Sequence, residues 1–79
     1  MAKHDPSIQK NFIEALSGCA SMEEHDLLDA LQPTILVIEK DDSYSTSAKL
    51  KIFSLITSLS NCAAKERLKY VKKISRRLK

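Results

Sequence analysis

Only one stretch of this chain reads as a β-strand, Thr34-Ile35-Leu36-Val37-Ile38, and no second strand-like segment exists to pair with it. A lone strand leaves a row of backbone amides and carbonyls unsatisfied, so this run could be a strand only against a copy of itself. Helices satisfy their backbone internally and need no such partner. Pro33, just before the run, fits a first helical turn because its missing N–H is not needed there. The favoured reading is therefore a short helix with Pro33 in its first turn, with a dimeric strand as the alternative.

The rest of the chain carries helix signals. Asp5 can cap and Pro6 can start a first helix, in which Ile8, Phe12, Ala15 and Leu16 form one apolar stripe and Gly18 stands at the exit. Ser21-Met22-Glu23-Glu24 reads as a capping box that opens a second helix, with Leu27, Leu28, Leu31 and Ile35 on its apolar face. The segment Asp41 to Ser47 is polar and reads as a loop. Ser45, Thr46 or Ser47 would cap a third helix through Leu50, Ile52, Phe53, Leu55, Ile56 and Leu59, whose wide apolar face suits the most buried element. A fourth helix, over residues 63–79, places Ala64, Leu68, Val71 and Leu78 on one stripe. No internal repeat is visible in the residue types. The fold class expected is all-α: residues 1–79 as one small domain of about four short helices, with residues 1–5 as a flexible tail.

Size sharpens that expectation. A chain of 79 residues buries only about 60% of the surface exposed by its unfolded form, and this one has no Trp and few aromatics to fill a core. Small domains of this kind are often completed by a disulfide, a metal or a second chain. Cys19 and Cys62 are far apart, and neither belongs to a Cys-x-x-Cys pair of the kind zinc needs. Completion by a second chain is thus the expectation: a homodimer or a subunit of a complex, with Leu55, Ile56, Leu59, Leu68, Val71 and Leu78 on the seam.

Charge is concentrated at one end. Residues 65–79 carry eight Lys or Arg against Glu66 alone, whereas residues 1–64 carry five Lys and nine acidic residues. Lys65, Lys69, Lys72, Arg76 and Lys79 follow helical spacing about 100° around from the apolar stripe, so a basic ridge runs beside an apolar seam. With Lys73 and Arg77 they form a candidate contact surface for a polyanion or an acidic partner, since cations at this spacing can each meet a phosphate. The acidic residues Glu14, Glu23, Glu24, Asp26 and Asp29 could attract a basic partner, keep the protein hydrated, or neutralise the basic helix from within the chain. Ser75, set among Lys72, Lys73, Arg76 and Arg77, is a candidate phosphorylation site, where added negative charge would weaken polyanion binding.

Chemistry is otherwise sparse. His25 and Asp29 could in principle share a metal, but two ligands on one helix do not make a site, and His4 lies in the expected tail. Cys19 has no neighbouring His in sequence and reads as a small buried hydrophobe. One Gly cannot build a phosphate-cradling loop. No enzyme activity, cofactor, metal or small-molecule substrate is expected. No apolar run approaches the length of a membrane span and residues 1–10 are polar, so an intracellular protein is expected, cytoplasmic or nuclear if eukaryotic.

Residues 53–78, from Phe53-Ser54-Leu55 to Lys72-Lys73-Ile74-Ser75-Arg76-Arg77-Leu78, resemble the BESS motif of insect chromatin and transcription proteins. The resemblance covers a third of the chain and implies two short helices, the second basic, with a role in protein association. The motif's Ser-Leu-x-Pro turn is absent, Asn61-Cys62 standing near that place. The functional expectation is a non-enzymatic interaction module with a regulatory or adaptor role, partnered by itself or another protein. A nucleic-acid-binding accessory or transcription regulator acting through the basic helix is the alternative, and no membrane partner is expected.

Overall fold

In the computed structural model, which describes residues 5–79, the chain forms four α-helices: α1 (Pro6–Ala15), α2 (Glu24–Lys40), α3 (Thr46–Asn61) and α4 (Arg67–Leu78). Short 3-10 turns, Cys19–Ser21 and Ala64–Glu66, precede α2 and α4. No strand occurs among the described residues. Of the expected tail at residues 1–5, positions 1–4 lie outside the described residues, as does His4, while Asp5 belongs to the first helix as its cap.

Two starts form as their residues dictate. Asp5 accepts the Ser7 amide on Oδ1 at 2.9 Å, with Pro6 as the first helical residue. Ser45 accepts the Ala48 amide on Oγ at 3.1 Å and starts α3. Each cap satisfies an amide with no intrahelical partner, a gain of about 1 kcal/mol.

The capping box at Ser21 and Glu24 does not form. Ser21 ends the first 3-10 turn and its hydroxyl donates back to the Gly18 carbonyl at 3.1 Å, so it is spent before α2 begins at Glu24. Glu24 and Asp26 still favour that start by placing negative charge at the positive end of the helix dipole. Nor does Gly18 end α1. The helix stops at Ala15, and Gly18 keeps a φ of −104°, which any residue can adopt.

The separate helix expected at Pro33 is also corrected. Pro33 lies inside α2, a single helix of 17 residues. Leu27, Leu31, Thr34 and Ile38 make one buried stripe that runs straight past it. Burying that stripe outweighs the one backbone hydrogen bond that the proline removes. Leu28 is consequently turned outward at 47% exposure, and Ile35 is half-buried.

The main helix contacts run α1 with α2, α2 with α3, α3 with α4, and α4 back to α1. With connections this short, consecutive helices are antiparallel and the four stand in a closed ring. Gln9, early in α1, donates from Nε2 to the Ser75 carbonyl late in α4 at 2.7 Å, which confirms that closure. Phe12, Leu16, Cys19, Leu27, Leu31, Ile38, Ile52, Leu59, Ile74 and Leu78 are fully buried in the middle. Tyr44, in the loop expected to be polar, is buried too, and its hydroxyl donates to the Leu78 carbonyl at 2.6 Å.

An internal repeat invisible in the residue types appears in the packing. The cap Asp5 and the buried Phe12, Leu16, Cys19, Leu27, Leu31, Thr34 and Ile38 recur forty residues on as Ser45, Ile52, Ile56, Leu59, Arg67, Val71, Ile74 and Leu78. The buried positions of the hairpin α1–α2 thus recur in register in the hairpin α3–α4, although the helices differ in length. Between residues 5–39 and 45–79 only Ser7/Ser47 and Leu28/Leu68 are identical, so no repeat could be read from identity.

Candidate functional site

The outward face of α4 gathers the chain's basic residues. Lys65, Lys69, Lys72, Lys73, Arg76, Arg77 and Lys79 are all exposed. Val71, Ile74 and Leu78 turn the opposite side of the helix into the core and fix which residues face solvent. Lys65 stands in the 3-10 turn ahead of α4 and Lys79 at its C-cap, so the basic ridge extends past both helix ends. Arg76 and Arg77 lie in the last turn, where the negative end of the helix dipole favours them.

Arg67, counted among the basic residues by composition, is not on this face. It is buried at 9% exposure, and Nη1 donates to the carbonyls of Cys19 at 2.8 Å and Met22 at 2.7 Å. Its charge is used inside the fold to hold the α1–α2 connection against the start of α4.

Among the described residues no carboxylate forms an ion pair with the ridge. Among the described residues the only ion pair is His25 Nε2 with Asp26 Oδ1 at 3.2 Å, on α2. The ring places α2 diagonally across from α4; of the two helices flanking α4, α3 has only Lys49 and Lys51 as charged residues and α1 only Lys10 and Glu14. The expected option of acidic helices cancelling the basic one is therefore not realised as ion pairs. Lys73 Nζ sits 5.4 Å from the Tyr70 ring centroid, a cation–π contact that orders one cation of the ridge. Lys73, Arg76 and Arg77 line a groove with Leu55 of about 580 Å³ between α3 and α4. Ser75 stays in the helix, its hydroxyl donating to the Lys72 carbonyl at 2.9 Å.

The residues expected on a partner seam divide. Ile56, Leu59, Val71 and Leu78 lie in the chain's own core. Leu55 is half-buried beside the basic groove, and Leu68 is 48% exposed. Ile74, fully buried, was missed by the sequence reading although Val71, Ile74 and Leu78 share helical spacing. That spacing was the available signal.

Cys19 is fully buried, and burial pushes its thiol pKa above the ordinary value, with the Arg67 charge opposing the shift. It packs as the small hydrophobe expected. Among the described residues no group of three or more His, Cys, Asp or Glu could hold a metal, and no helix is long and apolar enough to cross a membrane.

No protein-family model, curated protein or solved structure matches the chain. The likeness of residues 53–78 to the BESS motif therefore rests on apolar and basic positions alone.

Proposed function

We propose that this protein is a non-enzymatic binding module whose α4 face takes nucleic acid, recognised through its phosphates. The observation that carries this reading is seven exposed cations on one helix and its two ends, none of them in an ion pair with a carboxylate of the described residues. Cations without a carboxylate partner on a helix meet phosphates without breaking an ion pair, and such contacts give affinity without base selection. The free thiols of Cys19 and Cys62 support an intracellular setting.

The test is duplex binding at two salt concentrations with two unrelated sequences. Five neutralised phosphates give a log–log salt slope of roughly −4 to −5, equal for both duplexes. Replacing Lys72 and Arg76 with Ala should flatten the slope by about two. Undetectable binding at low salt overturns the reading, and binding to an acidic protein instead assigns the ridge to a protein partner.

A second reading, a regulatory or adaptor subunit that associates with protein, is favoured by a different observation. Leu28, Leu36 and Val37 stand 45–47% exposed on α2, on the opposite side of the molecule from the ridge.

A further inference from the structure

The forty-residue recurrence between the hairpins sets two outer faces against each other. Along one exposed stripe of α2 stand His25, Leu28, Asp29, Gln32, Leu36 and Glu39. At the equivalent positions α4 exposes Lys65, Leu68, Lys69, Lys72, Arg76 and Lys79. These positions match in exposure, but the first stripe is apolar and acidic and the second basic. The imbalance extends to the halves: residues 1–40 carry three Lys and seven acidic residues, and residues 41–79 carry ten Lys or Arg and three acidic residues. Since α2 and α4 occupy diagonal positions in the ring, the two faces point away from each other and cannot meet within one chain.

They can meet between chains. We propose that the α2 face is a docking surface for the α4 face of a second copy, the helices running antiparallel. Centring Gln32 on Lys72 of the second copy sets Leu36 against Leu68, Glu39 against Lys65, and Asp29 beside Lys72 and Arg76. Leu28 then lies on the aliphatic stem of Arg76, with Glu24 and Asp26 toward Arg77 and Lys79. This order places Leu36 against Leu68 and the carboxylates of Asp29 and Glu39 against cations, which gives the contact its partner and its direction. Exposed apolar side chains on α2, where α4 keeps cations, are the part of the surface such a contact covers. The contact is heterologous, because each copy offers a different face, so association continues from copy to copy and does not close as a two-fold dimer. It uses the ridge proposed above to take nucleic acid, so the two partners compete for α4.

The experiment is sedimentation equilibrium of the full chain at low and high salt, with variants of each face. Wild type should show a mass above 8.9 kDa that rises with concentration at low salt and returns to 8.9 kDa at high salt, where exposed charges are screened. The variant Asp29→Asn with Leu36→Gln, which spoils the α2 face without giving it positive charge, and the variant Lys72→Glu with Arg76→Glu, which spoils the α4 face, should each remain at 8.9 kDa. Mixed at low salt, they should form a one-to-one pair of twice that mass, since each retains the face the other lacks. A two-fold contact cannot produce that result. A monomeric wild type at low salt, or a mixture that stays monomeric, overturns the proposal. The α2 variant keeps its ridge, so its duplex binding separately reports whether the nucleic-acid reading stands.

Discussion

The Arg67 guanidinium donates from Nη1 to the Cys19 carbonyl at 2.8 Å, joining residues 48 positions apart. The same nitrogen reaches the Met22 carbonyl at 2.7 Å, so one buried cation closes the connection that leads from α1 into α2. Nε is buried with no hydrogen-bond partner among the described residues, which leaves the Nη1 bonds to offset the desolvation of the charge. Arg67→Ala should cost about 3 kcal/mol, because two carbonyls lose a charged donor and the core loses the aliphatic stem. Urea denaturation checks this, and a loss within experimental error would mean that the carbonyls find water instead.

Tyr44 holds the other end of the bundle through its bond to the Leu78 carbonyl. Burial first, and then the carboxylates of Asp41 and Asp5, raise its pKa above the ordinary 10.0. The unfolded chain therefore releases this proton at lower pH than the folded one. The associated stability is complete below pH 10.0 and is lost as pH rises toward the folded value. Tyr44→Phe should cost about 1 kcal/mol at neutral pH through the lost hydrogen bond. It should also flatten the alkaline fall in stability, leaving the part due to Cys19, whose pKa is raised above 9.0. Thermal denaturation from neutral to strongly alkaline pH follows both effects.

Leu68 and Ile74 test how α4 is rotated. Leu68 is half exposed and Ile74 fully buried. Truncating Ile74 to Ala should cost about 3 kcal/mol through lost burial and a cavity, whereas Leu68→Ala should cost about 0.5 kcal/mol. Equal losses in urea melts would place the helix in a different rotation.

Pro33 is exposed inside α2 and denies its helix one backbone hydrogen bond. Pro33→Ala should stabilise the fold by about 1 to 2 kcal/mol, the gain in helix propensity being partly offset by a more flexible unfolded chain. Slower hydrogen exchange at the amides flanking position 33 would accompany it.

The residues alone determined a good part of this protein. Asp5 with Pro6, and the serines near position 45, announce helix starts through chemistry confined to a few neighbours, and both form. The unpaired strand-like run at Thr34–Ile38 left helix as the form that satisfies its own backbone, and the exposed cations of the basic ridge were legible from their spacing. What only the tertiary structure decided depends on several segments acting together. Ser21 was drawn from its cap because the 3-10 turn claims its hydroxyl. Pro33 was carried inside a helix because the stripe on both sides of it is buried. Arg67, one of the eight cations of residues 65–79, is buried because the Cys19 and Met22 carbonyls are brought to it by the folding of a distant turn. Whether an apolar side chain becomes core or outer surface follows from how each helix is rotated against its two neighbours. That rotation settled Leu28 and Leu68 outward and Thr34 and Ile74 inward. It is set by the packing of the whole ring, and no single segment contains it.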